Sequence, residues 1–219
     1  MRTVALTVLC LAALGLLGAA AFVYSGAFNV AATDPHSAPA YWVMETTRLR
    51  SIKAHAKGVV APPDWDTEAR VVMATSHFAA HCAICHGAPG VKRDALAAGM
   101  YPLPPDLTKA SARYTPGQLF WILKNGIKMS GMPSMADDGD DMLWSTVAFL
   151  EKLPSLSPDG YNDLWMASQA QSGMDRMMDM EGMAMPGMAM PGMAAGEGGQ
   201  PSPPAEPSTA PARTPGNQP

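Results

Sequence analysis

The sequence predicts an all-α protein: one small helical domain, preceded by an apolar amino-terminal segment and followed by a tail that cannot build a core. Apolar residues recur at helical spacing in several stretches between residues 41 and 165, and no stretch alternates as a half-buried strand does. The 20 Gly and 21 Pro among 219 residues are too dense for one continuous domain. Setting aside Val4–Tyr24 and the residues 194–219, which hold seven Pro, four Gly and no large apolar side chain, leaves roughly 170 residues for folded material.

Residues 1–24 form the first element. Val4 to Tyr24 carries no charge, and as a helix it is about 31 Å long, matching a hydrocarbon core of about 30 Å. An uncleaved anchor fits this length better than a signal peptide, although Ala19-Ala20-Ala21 satisfies a small-x-small cleavage rule. In either case the remainder is exported, and Arg2 with the free amino terminus places the bulk of the chain on the far side. Cys10, near the start of the apolar run after Leu9, reads as a membrane-buried apolar residue and not a lipidation site.

Residues 25–65 read as a juxtamembrane linker containing one helix at 41–57, ended by Gly58. Trp42, Leu49, Ile52 and Ala56 fall near one face of it, which can pack on the following domain or lie on a membrane surface. Asp66 or Thr67 then caps a helix through Cys82, with Val71, Ala74, Phe78 and Cys82 at helical spacing. Gly87 to Thr115 is a loop with four prolines, long enough that a bound ligand is expected to complete the core. Thr115-Pro116 opens a helix that stops at Asn125-Gly126. Another runs from Met142 to Leu153, with the acidic residues 137–141 at its amino end and Pro154 behind it. A short helix through Leu164 and Trp165 is expected within an extension at 156–173.

The net charge of −4 sits mostly in residues 156–219, which carry −5, and the region 66–155 is nearly neutral. No basic run stands beside exposed aromatics, so nucleic acid is excluded as a partner. Lys92, Arg93, Lys124 and Lys128 either steer an acidic redox partner or are solvated surface charge.

Cys82-Ala83-Ile84-Cys85-His86 is the pattern for covalent attachment of a c-type haem. Two sulfurs three residues apart on a helical turn reach vinyl groups along one porphyrin edge, and the next residue, His86, is carried under the ring to ligate iron. The rival chemistries fit less well. A zinc site using His77 or His81 crowds every ligand onto one helix and turn, and a thioredoxin-like pair needs strands that are absent here. The apolar residues Phe78, Leu96, Leu103, Leu107, Tyr114, Phe120, Trp121, Ile122 and Phe149 are expected to line a haem pocket or to fill an ordinary core. A soft sixth ligand is on offer from Met129, Met132 or Met135.

Over residues 66–155 the chain resembles the class I monohaem cytochrome c family. The resemblance is carried by Ala74 and Phe78 before the first cysteine, Cys82-x-x-Cys85-His86-Gly87, Pro-Pro-Asp-Leu at 104–107, Asn125-Gly126, Gly-Met-Pro at 131–133, and a last helix with Trp144 and Phe149. It implies the class I cytochrome c fold, three to four helices around a single covalently bound haem c. It implies Met132 as the sixth ligand, with Met129 and Met135 behind it. It also implies a carbonyl of Pro104 or Pro105 accepting a hydrogen bond from the other nitrogen of His86, an outer contact that orients the ring.

The function implied is electron transfer and not catalysis, between a redox donor and acceptor protein. The setting is a single-pass bacterial inner-membrane protein held by residues 4–24, with its haem domain in the periplasm. A haem subunit of a larger dehydrogenase or oxidase complex is the alternative.

Nine of the 18 methionines fall in the segment 174–193, where Gly182-Met183-Ala184-Met185-Pro186 repeats from Gly187. Proline at that period forbids a regular helix. A run of thioethers in an oxidising compartment has the composition to hold Cu(I), which makes a copper-handling protein a further alternative; docking and the absence of any role are the other readings. Residues 194–219 read as a Pro-rich disordered tail.

Overall fold

The computed structural model describes residues 1–182, with side chains to Met174; the Met-Pro repeat, with its expected copper role, and the Pro-rich tail lie outside the described residues. Helices and connecting turns make up the described chain, and no strand occurs among these residues.

Helix α1, Arg2–Tyr24, buries none of its side chains, and it is long and apolar enough to cross a membrane. Helix α2, Ala38–His55, begins three residues earlier than its apolar pattern suggests. Pro39 lies in its first turn, where the missing N–H costs nothing. Only the second half of α2 packs against the domain. Ile52 and Ala56 are buried, whereas Trp42 and Leu49, expected on the same face, are exposed.

Helix α3, Glu68–His81, puts Val71, Ala74, Thr75 and Phe78 inside. A single turn, α4 (Ala83–His86), continues it. The stretch expected as an irregular loop contains two more single turns, α5 (Ala95–Ala98) and α6 (Leu107–Ala110). Their cause is local: the side chains of Asp94 and Asp106 accept hydrogen bonds from the amides of Leu96 and Thr108 at 2.8 and 3.0 Å. Hydrophobic periodicity carries no trace of such short elements.

Helix α7, Pro116–Asn125, has the expected start, with Thr115 and Gln118 closing a capping box in which each side chain accepts from the other's amide. Helix α8, Asp140–Lys152, is enclosed so fully that every residue from Leu143 to Leu150 is buried. The two hydroxyls in that run donate to carbonyls one turn back, Ser145 to Asp141 and Thr146 to Met142, both at 2.9 Å, so burying them leaves no polar atom unpaired. Helix α9, Pro158–Gly182, is far longer than the short helix expected through Trp165. Between Tyr161 and Ser172 nothing breaks it, and the lone Gly173 lowers helix propensity without ending the helix.

The core forms where α3 crosses α8, with α7 and the start of α9 packed on either side. Phe78 and Phe149 meet there, fully buried, with ring centroids 4.7 Å apart. Phe120 of α7 stacks on Trp144 of α8 at 4.4 Å. Each such ring contributes about 1.5–3 kcal/mol by leaving water. Arg70 fastens the linker to this frame, donating to the Asp64 carbonyl at 2.9 Å and the Asp141 carboxylate at 2.8 Å.

Candidate haem-attachment site

The carboxy-terminal end of α3 delivers the cysteine-containing turn. Cys82 keeps a right-handed helical backbone between the two helices, so the chain rounds the turn without losing hydrogen bonds: His86 N–H donates to the Cys82 carbonyl at 2.9 Å and Gly87 N–H to the Ala83 carbonyl at 2.8 Å. Cys82 and Cys85, three residues apart on this turn, share one side of it, and both are free thiols. Burial, followed by the charge of Asp138 and the neighbouring Cys85, pushes the Cys82 thiol up to about 12. A dithiol redox centre needs the opposite, a thiol shifted down toward neutrality.

The turn ends at Gly87, whose φ of +72° suits glycine. A Cβ there would stand 2.9 Å from the Val91 carbonyl oxygen. That carbonyl accepts from Ala88 N–H, and Val91 donates back to Ala88, both at 2.9 Å, turning the chain away directly behind His86.

The ring of His86 is half-buried, and its Nδ1 lies 2.8 Å from the carbonyl oxygen of Pro105. A carbonyl only accepts, so Nδ1 carries the proton and Nε2 is left with its lone pair. Burial lowers the pKa of His86 and the charge of Arg93 acts in the same direction, while the bond to Pro105 opposes them; the net shift favours the neutral ring. No hydrogen bond reaches Nε2 among the described residues, so this nitrogen is available to an iron. The neighbouring carbonyl is engaged elsewhere: that of Pro104 accepts from Arg93 Nη1 at 2.6 Å.

The three methionines around residue 132 sit in different surroundings. Met129 is 80% exposed on a left-handed backbone, φ +59°. Met132 and Met135 are half-buried and pack on the core. Their loop is tied down at several points: Ile127 N–H donates to the Met132 carbonyl at 3.1 Å, Ser134 Oγ to the Lys124 carbonyl at 2.6 Å, and Met135 N–H to the Leu123 carbonyl at 3.0 Å. The structure adds a fourth thioether, which sequence reasoning missed. A Cβ placed on Gly131 would meet the Met100 sulfur at 3.0 Å, although the two residues are far apart in the chain.

The residues expected to line a pocket divide into groups. Phe78, Phe120 and Phe149 belong to the buried helical core. Two others meet α2: the Tyr114 hydroxyl accepts from Arg48 Nη1 at 2.7 Å, and the Trp121 ring lies 5.7 Å from that of His55. Leu96 and Leu103 are exposed, as is Ile84 between the two cysteines, while Leu107 is partly buried against the core.

A helical domain with two thiols on one turn, a neutral imidazole with its Nε2 unoccupied and a thioether on a secured loop has the donor set for covalently attached haem, since imidazole and thioether are the axial pair of electron-transfer c-type haems. This class is a c-type cytochrome domain. Residues 70–150 match the family described as "Cytochrome C oxidase, cbb3-type, subunit III", and this match supports reading the segment as a c-type cytochrome domain. The match covers a little over a third of the chain and includes neither α1 nor α9. No curated protein and no solved structure matches the chain.

Proposed function

We propose that this protein is a membrane-anchored cytochrome that passes single electrons between redox proteins on the periplasmic side of a bacterial inner membrane, through one haem. Cys82 and Cys85 would form the thioether links, and His86 and Met132 would hold the iron. The observation that carries this reading is the His86 ring, held by Pro105 in the tautomer that presents Nε2. When bound, the haem supplies a one-electron couple that a thioether ligand biases toward the reduced state. The protein contributes the rest. The bond to the Pro105 carbonyl fixes the imidazole plane and raises the basicity of its free nitrogen. The loop between Gly126 and Met135 holds the thioether against a packed core. If His86 and Met132 both held the iron, no position would be left for a substrate, and the chemistry supplied would be electron transfer and not turnover. Helix α1 serves as the anchor.

The test is to express the full chain together with a haem-maturation system. The expected product retains haem through denaturation and is low-spin, with an iron–sulfur charge-transfer band in the far red that disappears in Met132→Ala and survives in Met100→Leu. Failure to retain haem overturns the assignment; retention with a band indifferent to Met132→Ala moves the sixth ligand elsewhere.

The description of the matched family as an oxidase subunit supports a second reading, in which the chain is the haem subunit of a larger oxidoreductase. Co-migration with a larger complex after mild solubilisation favours that reading; migration alone favours the free carrier.

A further inference from the structure

Helix α2 is seated on the domain by a minority of its side chains. Ile52 and Ala56 are buried, and Arg48 reaches the Tyr114 hydroxyl at 2.7 Å while pairing with Glu45, also at 2.7 Å. Glu45 is the only acid in the helix, so this pairing leaves its outer side without free negative charge. Trp42, Leu49 and Lys53 follow one another there at steps of seven and four residues, and Val43, Arg50 and, just past the helix end, Lys57 stand beside them at steps of seven. All six are exposed, Trp42 to 67%. Among the described residues none of the three cations forms an ion pair. Exposed tryptophan and leucine flanked by free cations suit a lipid interface, where the indole sits at headgroup level and long basic side chains keep their charges among the phosphates.

The path from α1 to α2 brings that surface to a membrane. Phe22, near the end of α1, stands edge-on to Phe28 with centroids 6.5 Å apart, and Phe28 stacks on His36 at 6.5 Å. The His36 ring in turn meets Tyr101 edge-on at 4.9 Å, and its backbone N–H donates to the Tyr101 hydroxyl at 2.9 Å. The chain leaving α1 is thus fastened to the Pro-rich loop before α2 begins, which keeps the domain close to the end of a helix long and apolar enough to cross a bilayer. Phe28 and Val30, both exposed, continue the apolar surface along this strap from α1 toward α2.

We propose that the outer side of α2, formed by Trp42, Val43, Leu49, Arg50, Lys53 and Lys57, docks on the surface of a membrane containing anionic phospholipid. The inference rests on the reading of α1 as the anchor. The domain is then held at two places, by the span and by α2, and presents one fixed side to the bilayer in place of swinging on a tether. Docking within one chain is favoured further because α1 keeps α2 at high effective concentration beside the lipid.

The experiment reconstitutes the full chain into vesicles of phosphatidylcholine with phosphatidylglycerol, and of phosphatidylcholine alone. Both contain a phospholipid that forms a carbene near the glycerol backbone on illumination, and mass spectrometry locates the label. The expected result in the anionic vesicles is label on α1 and also on Trp42, Val43 and Leu49. Arg50→Gln, Lys53→Gln and Lys57→Gln together should weaken docking about a hundredfold, each cation near an anionic surface being worth about fivefold, and should remove the label from α2 while leaving that on α1. The three side chains are exposed and free of ion pairs among the described residues, so thermal unfolding of the variant should match wild type. Label on α1 with none on α2 overturns the docking and keeps the anchor; label on α2 with none on α1 keeps the docking and removes the anchor; label on neither removes both. Label on α2 that is equally strong in the triple variant or without phosphatidylglycerol overturns the assignment to anionic lipid. An unlabelled α2 in a chain whose detergent-solubilised dimer dissociates in Trp42→Ala assigns this surface to a second copy instead.

Discussion

Nδ1 of His86 lies 2.8 Å from the carbonyl oxygen of Pro105, nineteen residues further along the chain. The bond joins the cysteine-bearing turn to the Pro-rich loop, and it fixes which ring nitrogen is available. Its acceptor is held in place in turn, because Arg93 Nη1 donates to the adjacent Pro104 carbonyl at 2.6 Å. His86 is therefore oriented by a carbonyl whose neighbour is clamped by a guanidinium.

Arg93→Ala tests that clamp. The variant loses a charge-assisted hydrogen bond at a half-buried position, so stability should fall by about 1–2 kcal/mol. The same change removes a positive charge that helps keep His86 neutral. Denaturant unfolding of both proteins measures the loss; a difference under about 0.5 kcal/mol would show that the loop does not depend on Arg93.

Asp106 secures the other end of that loop. Its carboxylate accepts from the Thr108 hydroxyl at 2.6 Å and amide at 3.0 Å, and these bonds, the hydroxyl first, hold its pKa below the ordinary Asp value. A folded-state pKa below the unfolded one means that the stabilisation is complete above the unfolded value and disappears as pH falls through the folded one. Asp106→Ala should cost about 1 kcal/mol at neutral pH, a typical cap loss. As pH falls through the folded-state pKa of Asp106, below the ordinary Asp value, wild type loses this charge too and the two proteins should converge. Unfolding midpoints across an acid series decide this; a gap that stays constant into strong acid would show that the carboxylate charge plays no part.

How much of this was legible in the sequence depends on how far each cause acts along the chain. The cysteine turn and the capping box at Thr115–Gln118 are written within a few residues, and the structure forms both. The short helices α5 and α6 are local too, but their signal is a single capping aspartate each, which a search for apolar periodicity passes over. The remaining contacts join distant segments. Arg48 reaches Tyr114 across 66 positions, and Met100 reaches Gly131. Nothing in either neighbourhood announces these meetings, so Tyr114 and Trp121 read as pocket residues although α2 engages both. The run of α9 past Trp165 was hidden for another reason, since its Met- and Gly-containing sequence looks like low complexity while no residue in it stops a helix.

Gly126 controls the loop that carries Met132. Its φ is +66°, and a Cβ there would lie 2.6 Å from the Pro133 carbonyl carbon and 2.7 Å from the Ser134 nitrogen. Both are backbone atoms, which cannot swing aside as a side-chain end can. Gly126→Ala should cost about 3 kcal/mol, combining left-handed strain with a displaced loop. Because the loop moves, the far-red iron–sulfur band should weaken with it. Met129→Leu, changing a side chain that is 80% exposed, should leave both stability and the band as they are. A Gly126→Ala protein with wild-type stability and an intact band would show that the loop accommodates the methyl group.

Tyr161 decides where the domain ends. The family match stops at residue 150, yet Tyr161, on α9, is 7% exposed and lies edge-on to Phe78 at 6.5 Å and Phe149 at 6.3 Å between centroids. If α9 is structural, Tyr161→Ala leaves a cavity against two buried rings and should cost about 3–4 kcal/mol. Tyr161→Phe keeps the ring and should cost under about 1 kcal/mol. The pair separates packing from the hydroxyl. A large loss in the first variant alone assigns α9 to the haem domain's core. A loss under about 1 kcal/mol in both would make α9 a strap laid on a domain already complete without it, because a buried ring that matters cannot be removed so cheaply.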